Sequence, residues 1–369
     1  MNLPVTISAG PSADPVISVD GAWDAKGLNL SHWPGNATPA DLKHDLSTGI
    51  ALNFARLGQA TRKARAAGCV AICNNHYDTD GICSLYALVH PEAALEQEEA
   101  LLAAARAGDF FQVPSEEAFI VDAIVAGLND PARSPWREDF AGLADRERHE
   151  LCTHRLLERL PRILAGDVED LRELWEPPVA ALRADLADLE TATLDDLVHL
   201  SLCVWTAPAG AVSTRGGTSR FDPGRHALFG KRTSDRHLVI GPGPAAGTGD
   251  AAGNTYRFVV GTLSWFELVS PAPPPRPDLA ALAAHLNGLE GTGPGDAAAW
   301  RHQSPEGASP ELWFGSAEFS PFSEHASVVL TDSALEPHRV KGAVVDALRA
   351  AWVFPEDDED DDSWQITAS

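Results

Sequence analysis

Three side chains that could bind a metal ion alternate along the short segment from His76 to Asp80. His76, Asp78 and Asp80 are each separated by one residue, so an extended backbone can turn all three towards one point. One imidazole and two carboxylates suit Mn²⁺, Fe²⁺ or Zn²⁺ better than Ca²⁺. Gly81 lets the backbone turn where a side chain would obstruct an ion. The spacing therefore predicts a metal site; the alternative is that Asp78 and Asp80 only cap the following helix.

The elements on either side must position these groups. Residues 70–73 form a short apolar run of the kind found in buried parallel strands. Apolar residues at helical spacing begin directly after Gly81. The order strand, polar loop, helix predicts an α/β fold with an N-terminal parallel sheet flanked by helices. In such sheets ligands bind just beyond the carboxyl ends of the strands.

The segment NNHYDTDGICSLYAL, residues 74–88, resembles the first motif of the DHH (Asp-His-His) phosphoesterase superfamily. The whole chain is also similar to uncharacterised bacterial proteins. The DHH resemblance implies a divalent-metal-dependent hydrolase, either a phosphoesterase or a pyrophosphatase-like enzyme. It implies Mn²⁺ as the usual metal, with Mg²⁺, Fe²⁺ and Zn²⁺ as alternatives.

The resemblance also implies a second motif, a metal-bridging Asp that follows a helix. Asp109 is the candidate for this ligand and catalytic residue, because Gly108 is predicted to stop the preceding helix. An ordinary loop carboxylate is the alternative. No Asp-His-His tripeptide occurs in the sequence. His149 and His154 are the nearest catalytic candidates, although five residues apart on a regular helix they cannot both reach one ion.

Two further sets of residues are predicted to contact the substrate. His44 and Asp45 are predicted to share the first turns of a helix and, with His32, to form part of the pocket floor; stabilisation of the helix dipole is the alternative. In the superfamily the second domain supplies basic groups to the substrate. Residues 215–236 contain six basic and two acidic residues, and a solubilising hairpin face is the alternative. The cationic candidates are Arg215, Arg220 and Arg225.

Changes in patterning predict the domain organisation. Helical patterning gives way to strand patterning near residue 190. We predict a DHH-like metal-binding α/β domain with a helical insertion over 1–190 and a smaller α+β domain on the substrate side over 191–354. The acidic run EDDEDDD belongs to a tail over 355–369 that we predict to be disordered.

Composition narrows the partners and the compartment. With 53 acidic and 28 basic residues the formal charge is −25, which disfavours long nucleic acids because their binding depends on neutralising phosphates. A small phosphorylated molecule is therefore the expected substrate. The sequence has no apolar stretch long enough for a membrane span, no signal-peptide pattern and five cysteines, an odd number. These features predict a cytoplasmic protein without a membrane partner, and a homodimer is left open.

Two other functions fit the same residues. The missing Asp-His-His tripeptide and the acidic surface fit a non-catalytic ligand-binding or interaction module on a DHH-like scaffold. A mononuclear metalloenzyme of other chemistry could use His76 and two carboxylates as its ligands.

Overall fold

Four short parallel strands form the sheet of the N-terminal lobe. The computed structural model describes residues 3–8, 12–21, 26–211, 220–242, 253–318 and 327–352. The strands of this sheet are β1 (Val5–Ile7), β2 (Val16–Val19), β3 (Gly27–Leu30) and β4 (Ile72–Asn74). Their order across the sheet is β1-β4-β2-β3, and each neighbouring pair is parallel. The carboxyl ends of β2, β3 and β4 therefore lie along one edge.

Helices dominate the chain between the two sheets. The helices of the described residues are α1 (Ser47–Arg56), α2 (Gln59–Arg65), α3 (Thr79–Val89), α4 (Pro91–Glu96), α5 (Glu98–Phe110), α6 (Glu116–Asn129), α7 (Asp145–Leu164), α8 (Arg172–Thr191), α9 (Arg225–Lys231), α10 (Leu279–Glu290) and α11 (Pro337–Ala351). Helix α3 is buried along almost its whole length and packs against α1 and α5. It carries the motif residues into the middle of the lobe.

A mixed sheet forms the C-terminal lobe. Its strands are β5 (Thr193–Leu197), β6 (Leu202–Thr206), β7 (Arg236–Pro242), β8 (Asn254–Val260), β9 (Ala299–His302), β10 (Glu311–Glu318) and β11 (Ser327–Leu330). The order is β11-β10-β8-β7-β6-β5, with β9 also paired to β10. Strands β6 and β7 are parallel, and the other pairs are antiparallel.

Alternating side chains of the C-terminal strands contribute to two apolar layers, one on each face of the sheet. Leu238 and Phe258 pack with α10 and α11 on one face, whereas Val239 and Val259 pack with α8 and α9 on the other. The separate core of the N-terminal lobe packs its parallel sheet with residues of α1 and of α3 to α8. The predicted fold class, a parallel α/β lobe followed by a smaller α+β lobe, is confirmed.

Several predicted elements differ from the observed ones. The helix expected from Thr38 is a 3₁₀ turn at residues 40–42 followed by a separate α1, so His44 and Asp45 lie in the connection between them. The strand patterning beyond residue 190 also predicts a strand at 227–229, but these residues belong to α9. The same patterning predicts a strand over 256–269, but β8 ends at Val260 and an irregular segment follows. Short apolar runs do not distinguish a buried strand from a buried helix.

The predicted domain limits remain a prediction, although β5, the first strand of the second sheet, starts close to the expected boundary. The predicted tail at 355–369 lies outside the described residues. None of the described helices combines the length and the apolar character needed to cross a membrane.

A glycine in β10 tests the register of the second sheet. Gly315 has φ +150°, and a Cβ there would lie 1.9 Å from the carbonyl oxygen of Val329 in β11. We expect Gly315→Ala to lower the free energy of unfolding by about 1–3 kcal/mol through overpacking and backbone strain. Gly288→Ala is the control, since this exposed position in α10 has no atom within 4 Å of the new Cβ. Urea denaturation that gives Gly315→Ala wild-type stability would contradict the register.

Candidate metal centre

Three parallel strands deliver polar side chains to the same edge of the N-terminal sheet. Asp20 directly follows β2, His32 comes two residues after β3, and the segment from His76 to Asp80 follows β4. Asp109 reaches this edge from the last turn of α5. The prediction that Gly108 ends the helix is wrong, because the helix continues to Phe110. Gly108 instead permits close packing, since a Cβ there would lie 2.9 Å from the Cβ of Thr79.

The backbone at Asp20 adopts an uncommon conformation. Its φ is +59°, in the left-handed region that few residues other than Gly, Asn and Asp enter. Hydrogen bonds hold it on both sides: its N–H donates to the Leu30 carbonyl, and its own carbonyl accepts from the Ser31 hydroxyl. The Asp20 carboxylate is thereby fixed at the centre of the cluster, with no accessible surface.

Four of the side chains form a buried group that we call the inner group. The ligating atoms of all four lie within 4.8 Å of one another. His32 Nε2 lies 3.0 Å from Asp109 Oδ2, 3.6 Å from Asp80 Oδ2 and 3.7 Å from Asp20 Oδ1. The inner group consists of Asp20, His32, Asp80 and Asp109.

A second group, the outer group, shares Asp20 with the first and consists of Asp20, His76 and Asp78. His76 Nε2 lies 3.1 Å from Asp20 Oδ2 and 2.9 Å from Asp78 Oδ2. The two oxygens of the Asp20 carboxylate thus face different groups. The side chains of His76 and Asp78 are 26% and 36% exposed, whereas those of the inner group are at most 6% exposed. Solvent therefore reaches the outer group.

Second partners fix the histidine rings in orientations suited to metal binding. His32 Nδ1 lies 2.6 Å from the Asp45 carbonyl oxygen, and a carbonyl can only accept, so Nδ1 carries the proton. In the neutral ring Nε2 is then a bare lone pair directed at three carboxylates. His76 Nδ1 similarly lies 2.6 Å from the side-chain oxygen of Asn75. A ring nitrogen held by such a partner is the usual arrangement of a metal-bound histidine.

The carboxylates of the motif are held by backbone N–H groups. Asp80 accepts from the N–H groups of Ser47 and Thr48, each at 2.8 Å, and so caps α1 and not its own helix. Asp78 Oδ1 caps α3 by accepting from Gly81 N–H at 2.9 Å, while Oδ2 faces His76. The predicted capping role and a ligand role are therefore compatible in Asp78. Gly81 is helical, and its benefit is space: a Cβ there would lie 2.1 Å from Asn74 Nδ2.

The centre carries more negative charge than the protein around it neutralises. Within the described ranges no lysine or arginine forms an ion pair with any of its four carboxylates. Burial raises the pKa of Asp20 and Asp109 well above the usual value, with the charges of Asp78 and Asp80 adding to the shift. Burial would lower the pKa of His76, but Asp78 and Asp20 outweigh it and raise the pKa well above its usual value.

These residues fit divalent cations. Buried polar atoms normally have hydrogen-bond partners, yet both oxygens of Asp20, His32 Nε2 and Asp109 Oδ2 have none. Ligand atoms bonded to one ion at about 2.1 Å are about 3.0–3.4 Å apart, close to the separations in both groups. A cation would satisfy these lone pairs and offset the charge.

The predicted metal ligands His76, Asp78, Asp80 and Asp109 thus lie in one cluster, divided between the two groups. His32, which the sequence suggested for the pocket floor, lies among the candidate ligands instead. Sequence reasoning missed Asp20, the residue that directly follows β2. The signal available for both residues was their position directly beyond a short apolar strand.

The two histidines proposed to complete the set do not join it. His149 stacks on Tyr77 with ring centroids 5.7 Å apart, and burial lowers its pKa. His154 is exposed and lies 3.9 Å from Glu150 on the same helix. Neither belongs to a ligand group among the described residues. Their helix α7 packs against α3 and β1, whereas the candidate ligands converge beyond the strand ends, so the structure does not bring these histidines into either group.

The predicted pocket residues His44 and Asp45 have structural partners. His44 Nδ1 accepts from Leu46 N–H at 3.1 Å. The Asp45 carboxylate accepts from the N–H groups of Val269 and Ser270, and these bonds outweigh burial and lower its pKa. Asp45 therefore touches the centre only through its carbonyl bond to His32.

The predicted cationic clamp is only partly described. Arg215 lies outside the described residues. Arg220 forms an ion pair with Asp332. Arg225 binds Glu311, which also pairs with Arg257, within the C-terminal lobe. Arg225 thus shares a buried carboxylate with Arg257 in its own lobe and forms no ion pair with the carboxylates of the candidate metal centre in the described residues.

Comparison with known proteins places the chain in a family. The model of a family of unknown function, DUF6687, matches residues 6–359. The chain belongs to this family. No curated protein and no solved structure matches it. The predicted similarity to an uncharacterised family is therefore confirmed. The likeness to the DHH superfamily rests on the motif alone.

Replacing the shared carboxylate tests whether the centre binds cations. Asn is similar in size to Asp and tolerates a positive φ, so we expect Asp20→Asn to fold. At pH 7 free Mn²⁺ at 100 times its Kd should stabilise the wild type by about 2.7 kcal/mol and the variant far less. Thermal unfolding with and without Mn²⁺ measures this difference. Asp346→Asn, on an exposed face of α11, should respond like the wild type; equal responses of all three proteins would contradict the site.

The same substitution predicts a pH dependence without metal. A carboxyl whose pKa is raised on folding binds more protons in the folded state, so its contribution to stability falls as pH rises above about 4. In EDTA, the unfolding free energy of Asp20→Asn should therefore increase relative to wild type between pH 4 and pH 7. Excess Mn²⁺ at pH 7 should make the wild type more stable than Asp20→Asn. If the unfolding free energies of the two proteins run parallel with pH in EDTA, the pKa of Asp20 is not raised on folding.

Proposed function

We propose that the protein is a divalent-metal-dependent hydrolase, phosphoesterase or pyrophosphatase-like, that acts on a small phosphorylated substrate. One observation carries the proposal: two ligand groups share the carboxylate of Asp20, and only the group containing His76 and Asp78 is open to solvent. A buried group next to an accessible one suits a centre that binds a substrate, since a purely structural site needs no open side.

The residues of the chain would have distinct tasks in such an enzyme. Asp20 would hold the two groups at a fixed separation, and Asp80 and Asp109 would contribute carboxylate oxygens to the inner group. His76 and Asp78 lie where a substrate phosphate and a water molecule can approach. Divalent ions held here would supply Lewis-acid chemistry, which activates water near neutral pH and offsets charge on a phosphoryl group.

The resemblance of HYDTDG to the first DHH motif supports the same chemistry and favours Mn²⁺. The order along the chain departs from that pattern: the additional candidate ligands Asp20 and His32 precede the motif, and only Asp109 follows it. Because one motif carries the likeness, it supports the reaction class by analogy. The donor set itself suits Mn²⁺, Fe²⁺ or Zn²⁺.

Turnover with added metal tests the proposal. Chelator-treated protein should hydrolyse pyrophosphate or bis(p-nitrophenyl) phosphate only after Mn²⁺, Mg²⁺ or Zn²⁺ is restored. We expect Asp80→Asn to lower kcat/KM by about 100-fold or more, because transition-state charge would lose several kcal/mol of stabilisation. Asp346→Asn should keep wild-type activity. Absence of metal-stimulated turnover in metal-loaded protein, with both substrate classes, would refute a hydrolase.

A non-catalytic ligand-binding module is the second candidate. The observation in its favour is that Arg225, one of the two described residues of the expected clamp, forms an ion pair with Glu311. On this view metal and a phosphorylated ligand would stabilise the protein together without being turned over. Thermal shifts with nucleotides in the presence of Mn²⁺, combined with the assay above, separate the two functions.

A further inference from the structure

One segment of the C-terminal lobe lies against the loops that carry the inner group. Residues 262–270, which we call the strap, follow β8 and cross to the N-terminal lobe. The ring of Phe266 stacks on the His32 ring, with centroids 3.8 Å apart and an interplanar angle of 16°. Phe266 also packs against Phe110, next to Asp109. Together these contacts cover the inner group from the side of the C-terminal lobe.

Hydrogen bonds fix the backbone on both sides of that ring. Glu267 N–H donates to the His32 carbonyl at 2.8 Å. The Glu267 carboxylate accepts from Gly35 N–H at 2.8 Å and from the side-chain amide of Asn36 at 2.7 Å. The loop after β3 is thus bound at His32 and again three and four residues later. The position of the His32 ring is therefore set by the strap as well as by its own strand.

The strap reaches two other supports of the inner group. Val269 and Ser270 donate their N–H groups to the carboxylate of Asp45, whose carbonyl accepts the Nδ1 proton of His32. Thr262 donates its hydroxyl to the Asp109 carbonyl at 2.6 Å. The strap reaches the outer group less directly, because Trp265 packs on Trp33 and the Trp33 ring in turn lies 5.1 Å from the ring of His76.

We propose that the strap supports the metal site. Phe266 and Glu267 position His32, so all ligands of the inner group are correctly placed only when the C-terminal lobe is docked against the N-terminal lobe. This inference rests on the proposed function, because it requires that the inner group binds an ion. The strap residues are positioning residues that bind no ion themselves. Ion binding at the inner group and docking of the strap then stabilise each other to the same extent.

Substitution of the stacked ring tests the inference in the full-length chain. Phe266→Leu removes the ring but keeps an apolar side chain, and we expect the affinity of the inner group for Mn²⁺ to fall by about 10- to 100-fold, as for other groups that orient a ligand. Phe266→Tyr retains the ring and should restore wild-type affinity. Phe314→Leu, which removes a ring packed on Trp300 within the C-terminal core, controls for loss of stability. It should leave Mn²⁺ binding to the inner and outer groups unchanged.

Equilibrium dialysis and titration calorimetry with Mn²⁺ separate the outcomes. Two wild-type binding steps, with only the inner one weakened in Phe266→Leu, support the inference. Two steps of unchanged affinity in a folded Phe266→Leu protein overturn it while leaving the proposed function intact. A wild type that binds no ion overturns both.

Hydrogen exchange gives a readout that needs no strap variant. If the coupling is real, Mn²⁺ should slow exchange of the amides of Glu267, Val269 and Ser270, which donate to His32 and Asp45. Asp80→Asn, which weakens the inner group and leaves the strap sequence unchanged, should abolish this protection. Unchanged exchange in wild-type protein shown to be saturated with Mn²⁺ would overturn the inference.

Discussion

Uncompensated negative charge at one sheet edge is the constraint on which the N-terminal lobe depends. Four carboxylates and two imidazoles meet there, and the described surroundings supply backbone N–H groups but no paired lysine or arginine. Burying carboxylates without counter-charge is costly, so the fold is stable here only with protons or cations in place. The cap on α1, the left-handed turn at Asp20 and the fixed orientations of the two histidine rings keep these groups together.

The sequence was informative where the chemistry is local. The alternation from His76 to Asp80, between an apolar run and a helical pattern, is sufficient to predict β4, the loop and α3. Parallel pairing of strands is not local, and for that reason Asp20 was missed and His32 was assigned to the pocket floor and not to the ligands. Each follows a short strand, but the strand order that brings their ends together depends on packing among helices that are distant in sequence.

Composition and residue type alone did not reveal the partners of other candidate residues. A basic segment suggested a substrate clamp, yet Arg225 satisfies Glu311, a carboxylate 86 positions further along the chain. His149 and His154 matched a missing motif by residue type, whereas the structure places them on α7 with Tyr77 and Glu150 as neighbours. Partners of buried charges are set by tertiary packing, which a composition window does not contain.

The left-handed backbone at Asp20 has an evolutionary consequence. Only Gly, Asn and Asp occupy that region readily, and of these only Asp brings a negative charge, so the demands of the turn and of the centre select the same residue. Among substitutions at this position, those to Asn or Gly preserve the chain path, and both remove this charge. A family member that carries Asn or Gly at this position would therefore keep the architecture without the carboxylate that both groups share.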